Sequence, residues 1–220
     1  IIFTICTTYG STIWIDKLLK KQNAIVKSHK EDWDRQTRKD YKEKGRKKRV
    51  AVMLFALLCN FGILAFLKYI PYAGELGLLL PLGISFYTFQ SMGYVMDVYR
   101  EIVEPEKNFL KVALFVSFFP QIIQGPIAIY DKLAGQLYEG HSLRLENLQK
   151  GALLVLWGVM KKLVIADRAV NIINFVMDKP MDFSGTYVFF AAVVYALQLY
   201  ADFSGGIDIV RGIAEMFGIT

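Results

Sequence analysis

The sequence predicts an all-α protein, a polytopic transmembrane helical bundle with broken or re-entrant helices and interfacial helices. Three observations lead there. Hydrophobic residues make up 54% of the chain and its mean hydropathy is +0.34, above the roughly 45–50% apolar content of a soluble domain. The apolar residues gather into uncharged runs at Ile1–Ile15, Val50–Leu67, Leu76–Met96, Val112–Tyr130 and Phe183–Ala201, and four of these reach the roughly 17–25 residues that a spanning helix needs. The cations gather too: fourteen of the twenty-six Lys and Arg residues lie between positions 17 and 49.

Residues 1–16 read as the end of a transmembrane helix whose start is expected upstream, because the chain opens at Ile1 directly into apolar sequence. No charged n-region or cleavage site of a signal peptide precedes that run. Residues 17–49 read as a basic cytoplasmic loop containing some helix. Arg46, Lys47, Lys48 and Arg49 stand at the mouth of the next span, as the positive-inside rule places them. Anionic headgroups account for this charge without nucleic acid, and no nucleic-acid partner is expected. Trp33 and Tyr41 suit an interface.

Val50–Leu67 is the cleanest anchor, closed by Lys68, Tyr69 and Pro71. Leu76–Met96 returns the chain to the cytoplasm and ends at Asp97 and Arg100. Pro105, followed by Glu106 and Lys107, marks a helix start at the surface. Val112–Tyr130 either spans or dips in and returns. Gly151–Asp167 is apolar but carries Lys161 and Lys162; a lysine pair in mid-membrane costs several kcal/mol, so the pair is expected to snorkel or the segment to lie in the interface. Asp167 and Arg168 read as a solvated helix end. Phe183–Ala201 is the last span.

The spans carry what a plain lipid anchor avoids. Pro81, Gly83, Pro120, Gly125, Pro126 and Gly205 are expected breaks in the helical ladder. Ser85, Tyr87, Gln90, Gln121, Gln124, Tyr200, Asp202 and Ser204 are candidates to line a polar passage or to form interhelical hydrogen bonds. Asp202 has a second reading as the cap of a following helix, through Ser204 and the Gly205–Gly206 pair. Cys6 and Cys59 lie in apolar runs and read as buried free thiols. His29 and His141 read as solvated surface residues, and the sequence has no Cys/His metal spacing, so no metal is expected.

Five segments, in order, carry a resemblance: Pro81-Leu-Gly-Ile-Ser-Phe-Tyr-Thr-Phe-Gln90; Asp97-Val-Tyr-Arg100; Ser117-Phe-Phe-Pro-Gln121 with Gln124-Gly-Pro-Ile127; Trp157-Gly-Val-Met-Lys-Lys-Leu-Val-Ile-Ala-Asp-Arg168; and Tyr200-Ala-Asp-Phe-Ser-Gly205 with Asp208 and Gly212. They resemble the membrane-bound O-acyltransferase (MBOAT) family, in the bacterial branch of the alginate O-acetylases and the D-alanyl transfer proteins of teichoic acid synthesis. Residues 50–220 carry the resemblance. Gly206 and Ile207 replace the Tyr-Ser that often follows this motif in the family.

The resemblance implies a multi-pass plasma-membrane enzyme with no permanently bound cofactor. Its acyl group, acetyl in the first reading, would come from a cytoplasmic thioester, acyl-CoA or an acyl-carrier protein. The acceptor would be a hydroxyl of an extracytoplasmic polysaccharide or cell-wall polymer, with pathway partner proteins completing the route. D-alanyl transfer to teichoic acid is the alternative, and part of a membrane transporter is the reading from another class. The family's catalytic histidine is expected beyond Thr220; neither His29 nor His141 matches its position.

Overall fold

Every element of regular secondary structure among the described residues is a helix. The structure, a computed structural model, describes residues 1–29, 33–69, 83–120 and 129–219. These divide into two compact units, one formed by the described residues up to Tyr138 and the other by those from Glu139 onward.

In the first unit, α1 (Ile2–Ser28) and α2 (Arg35–Tyr69) make a long antiparallel hairpin. Residues 17–49, expected as a loop containing some helix, are helical over 17–28 and 35–49, because the stretch holds no proline and only Gly45 to weaken it. Small hydroxyl residues are buried along α1, namely Thr4, Thr8, Ser11 and Thr12. Asn60 of α2 donates through Nδ2 to Thr7 Oγ1 and to the Ala56 carbonyl, each at 2.9 Å. Such small and polar residues hold helices together where apolar burial alone does not discriminate them from lipid. At the turn, His29 is half-buried and stacked on Trp33, which in turn meets Tyr41, so this histidine packs the hairpin rather than standing free in solvent.

Helix α3 (Ile84–Tyr99) begins directly after Gly83, whose φ of 70° is the left-handed conformation that glycine adopts without a Cβ penalty. It continues past the uncharged run to include Asp97. It is the best-buried helix of its unit, with Tyr87, Thr88, Gln90, Ser91, Tyr94 and Val95 all inside. Helix α4 (Phe109–Val116) starts at Asn108, whose side-chain oxygen accepts from the Leu110 amide at 2.9 Å. Pro105 lies in the irregular segment before it, so the helix start expected at Pro105 comes four residues later, where a side chain able to cap the free amides stands. At eight residues, α4 reaches about 12 Å and does not itself span. Residues 121–128, on which the choice between spanning and re-entry turns, lie outside the described residues.

Helix α5 (Tyr130–Glu139) completes the unit through an aromatic core. Tyr130 stacks on Tyr94 with centroids 4.1 Å apart, and Phe115 meets both rings edge-on. The Tyr138 hydroxyl donates to the Lys111 carbonyl at 2.9 Å, and burial is the chief reason its phenol is pushed up to about 12.

The second unit is built on two long antiparallel segments. Helix α6 (Leu145–Met160) runs into a π-helical stretch, Lys161–Ala166, and then α7 (Asp167–Met177). After a 3₁₀ turn at Pro180–Asp182 comes α8 (Gly185–Met216), 32 residues without interruption. The break expected at Gly205 is absent, and Asp202 is an interior residue of α8, not the cap of a new helix. Helices α2 and α8 are each long and apolar enough to cross a bilayer. Large apolar side chains of α8, among them Phe189, Phe190, Val193, Leu197 and Leu199, face outward.

Candidate functional site

The polar centre of the second unit is assembled at a glycine crossing. A Cβ built on Gly158 of α6 would lie 2.5 Å from the Gly205 carbonyl oxygen of α8, and one on Gly205 would lie 2.8 Å from the Gly158 carbonyl. Seven residues away on each helix, Gly151 meets Gly212 in the same way, a Cβ on Gly212 falling 2.6 Å from the Gly151 carbonyl. The two contacts therefore repeat at one heptad on antiparallel helices. The chain uses glycine here for close backbone approach, as small residues do in packed membrane helices, and this is why Gly205 breaks nothing.

That approach sets two ion pairs beside the crossing. Lys161 Nζ lies 2.6 Å from Asp208 Oδ2, with side-chain exposures of 18% and 14%. Lys162 Nζ pairs with Asp202 Oδ1, a more open contact. Both lysines open the π-helical turn, and π-bulges recur at functional sites because they re-aim side chains that a regular helix would send elsewhere. Here consecutive lysines are answered by acids six residues apart on α8, which straddle Gly205. Lys161 also sits 5.7 Å from the Trp157 ring. The lysine pair, expected to snorkel or to lie at an interface, is matched charge for charge by two acids of α8. Asp167 and Arg168 are both exposed.

The candidates named from the sequence fall into two sets. On α8, Asp202 belongs to the charge cluster; Ser204 is half-buried with its Oγ enclosed and unpartnered; Tyr200 points outward at 70% exposure. On α3, Gln90 is fully inside and its Nε2 donates to the Phe115 carbonyl at 3.0 Å, which ties α3 to α4 where α4 ends. Tyr87 is buried and its carbonyl accepts from Ser91 Oγ at 2.7 Å, while Ser85 is half-buried. Pro120 is buried, three residues beyond the Ser117 that terminates α4. Pro81, Gln121, Gln124, Gly125 and Pro126 lie outside the described residues. Among the described residues no group of His, Cys, Asp and Glu is arranged to hold a metal, and both cysteines are free, Cys6 exposed and Cys59 half-buried.

Chemically, the cluster is a brace. Each lysine ammonium is met by a carboxylate, so both charges are tolerated in a segment that is otherwise apolar. Sequence reading missed these pairings. The signal was present in the matched spacing of Gly151 and Gly158 with Gly205 and Gly212, flanked by Lys161–Lys162 on one helix and Asp202 and Asp208 on the other.

No family model matches the chain. Among curated proteins, it is 32% identical over 205 residues to the peptidoglycan O-acetyltransferase of Helicobacter pylori, a match covering 76% of this chain and 39% of that protein. It is 36% identical over 142 residues to a protein of Pseudomonas syringae named probable alginate O-acetylase AlgI, covering 64% of this chain and 27% of the relative. The corresponding protein of Pseudomonas aeruginosa is 34% identical over 143 residues, again at 64% and 27%. The chain thus spans well under half the length of these curated relatives.

Proposed function

We propose that this chain, which belongs to the membrane-bound O-acyltransferase family, is part of an integral, multi-pass membrane enzyme that acetylates hydroxyls of an extracytoplasmic polysaccharide. The observation that carries this reading is the similarity to proteins named as O-acetyltransferases of peptidoglycan and alginate. It extends over most of the chain.

In the proposed reaction, an acceptor hydroxyl attacks the carbonyl carbon of a cytoplasmic acyl thioester. The carbon–oxygen bond forms, the carbon–sulfur bond breaks, and the donor leaves as a thiol. A base must take the hydroxyl proton, and a neutral imidazole suits that task near pH 7. We assign that base to a histidine on a segment of the parent protein following these residues. His29 is committed to stacking on Trp33, and His141 sits on the exposed link before α6.

The role proposed for this chain is to shape and brace the passage in which donor and acceptor meet. Gln90 fixes the end of α4, and the Lys161–Asp208 and Lys162–Asp202 pairs fix α6 against α8. Gln121 and Gln124 are proposed as donors toward the thioester carbonyl or the acceptor. Acetyl is preferred to D-alanyl because the relatives are named for acetyl transfer.

The test uses a strain lacking the parent protein. Alkali-released acetate from its envelope polysaccharides is measured with and without the full-length protein restored. Restoration of acetate, and its loss when the proposed histidine is replaced by alanine at unchanged membrane levels, is the expected result. Equal acetate in all strains refutes the reading.

A further inference from the structure

We propose that the cytoplasmic half of the α1–α2 hairpin holds a binding site for a phosphate group that itself bears a hydrogen-bond donor, the chemistry of an anionic phospholipid headgroup. Between the two helices lies a cavity of about 410 Å³. Lys39, Lys42, Arg46 and Arg49 of α2 line it, against the carboxylates of Glu43 and Glu101, so four cations face two anions and the lining carries a net charge of +2. One of those anions is already engaged, since Glu43 lies 3.2 Å from Lys47, outside the cavity.

Two buried side chains in the wall have unused hydrogen-bonding capacity. Arg49 is 8% exposed; its Nη1 donates to Glu101 at 2.7 Å, and its Nε has no partner. Gln22 is 5% exposed; its Nε2 donates to the Lys42 carbonyl at 2.9 Å, and its Oε1 has no partner. A buried donor or acceptor left unmade is costly, and here a cationic donor and a neutral acceptor of the same wall have no protein partner. A phosphate oxygen satisfies the guanidinium, and a hydroxyl or ammonium on the same ligand satisfies the amide oxygen. Gly45 belongs to the design, because a Cβ there would collide with the Gln22 amide.

Position favours a lipid as the source. Arg49 is the last residue of the basic half of α2, and the uncharged run begins at Val50. Where α2 crosses a bilayer, this boundary lies at headgroup depth, where juxtamembrane cations draw anionic lipid. The inference is independent of the transfer reaction.

The experiment uses the full-length parent protein in zwitterionic nanodiscs and titrates two probes separately, phosphatidylglycerol and inorganic phosphate, following the thermal unfolding midpoint. The comparison is between the double variant K42Q/R46Q, both exposed lining residues, and K44Q/K48Q, which removes the same charge outside the cavity. Saturable stabilisation by phosphatidylglycerol, weakened about tenfold or more in K42Q/R46Q and unchanged in K44Q/K48Q, supports the site and its lipid source. The same pattern with inorganic phosphate supports the site with a soluble phosphate as its source. Absence of saturable stabilisation by either probe overturns the proposal, as does equal weakening in both double variants, which would show diffuse charge attraction only.

Discussion

Replacing Gly158 with alanine tests the crossing on which the second unit depends. The added Cβ would stand 2.5 Å from the Gly205 carbonyl oxygen, 2.8 Å from Ile209 Cγ1 and 2.9 Å from the Ile209 amide. An ordinary carbon–oxygen contact is about 3.3 Å, so α6 and α8 must part by several tenths of an ångström over their length, because two of the three obstacles are backbone. Overpacking of this kind costs about 1–3 kcal/mol. Against it stands the intrinsic gain of alanine over glycine within a helix, about 1 kcal/mol. The net effect predicted for Gly158→Ala is a loss of up to about 2 kcal/mol by those two magnitudes. The internal control is Gly62→Ala on α2, where a Cβ meets nothing within 4 Å; that variant is predicted to be neutral or stabilising. The assay is reversible unfolding of the protein in detergent micelles. If Gly158→Ala and Gly62→Ala unfold alike, the close approach of α6 and α8 described above is wrong.

The ion pairs, the capping residue and the strained link make further predictions. Asp208→Ala strands the Lys161 ammonium and is predicted to cost about 3 kcal/mol, the lower end for a partly buried pair, whereas Lys161→Met combined with Asp208→Leu recovers most of that loss; a double-mutant cycle by unfolding in detergent checks it. Asn108→Ala removes the side-chain cap of α4 and is predicted to destabilise by about 1 kcal/mol, with Asn108→Asp near neutral; matching losses for both variants would contradict the capping geometry. Glu101, at a φ of 62°, joins left-handed backbone strain to a pair with buried Arg49. Glu101→Gly is therefore predicted to be milder than Glu101→Ala, since glycine relieves the backbone that alanine leaves strained; the two unfolding midpoints decide it.

Hydropathy and charge made the helical class legible, because long uncharged runs and a block of cations are properties of composition along the chain. The extent of helix within residues 17–49 was less so: a charged helical arm and a charged loop share the same residue types, and the absence of proline with a single glycine is the one signal that favours the helix. Glycine was the main source of error. Gly83 and Gly205 look alike in sequence, yet one takes a positive φ ahead of α3 while the other lies in a continuous helix to admit a neighbour's backbone. The acids suffered the same ambiguity. Asp202 read as a passage-lining residue or a helix cap and Asp208 entered only with the family motif, and only the antiparallel register of α6 and α8 brings them to Lys162 and Lys161. Gln90 was legible as an interior residue; that its partner is the carbonyl of Phe115 depends on where α4 stops.

The most direct measurement of the proposed acetyl transfer is incorporation of label from a thioester donor by the full-length parent protein in membrane vesicles. Isotopically labelled acetyl-CoA is supplied on the cytoplasmic side, and purified peptidoglycan and alginate are supplied as acceptors on the other. The prediction is an alkali-labile labelled acetyl ester on one of these polymers, lost when Asp208→Ala and Asp202→Ala together unseat α6 from α8. Intact, correctly inserted protein that leaves both acceptors unlabelled, with acetyl-CoA and with an acetylated carrier protein alike, would contradict it.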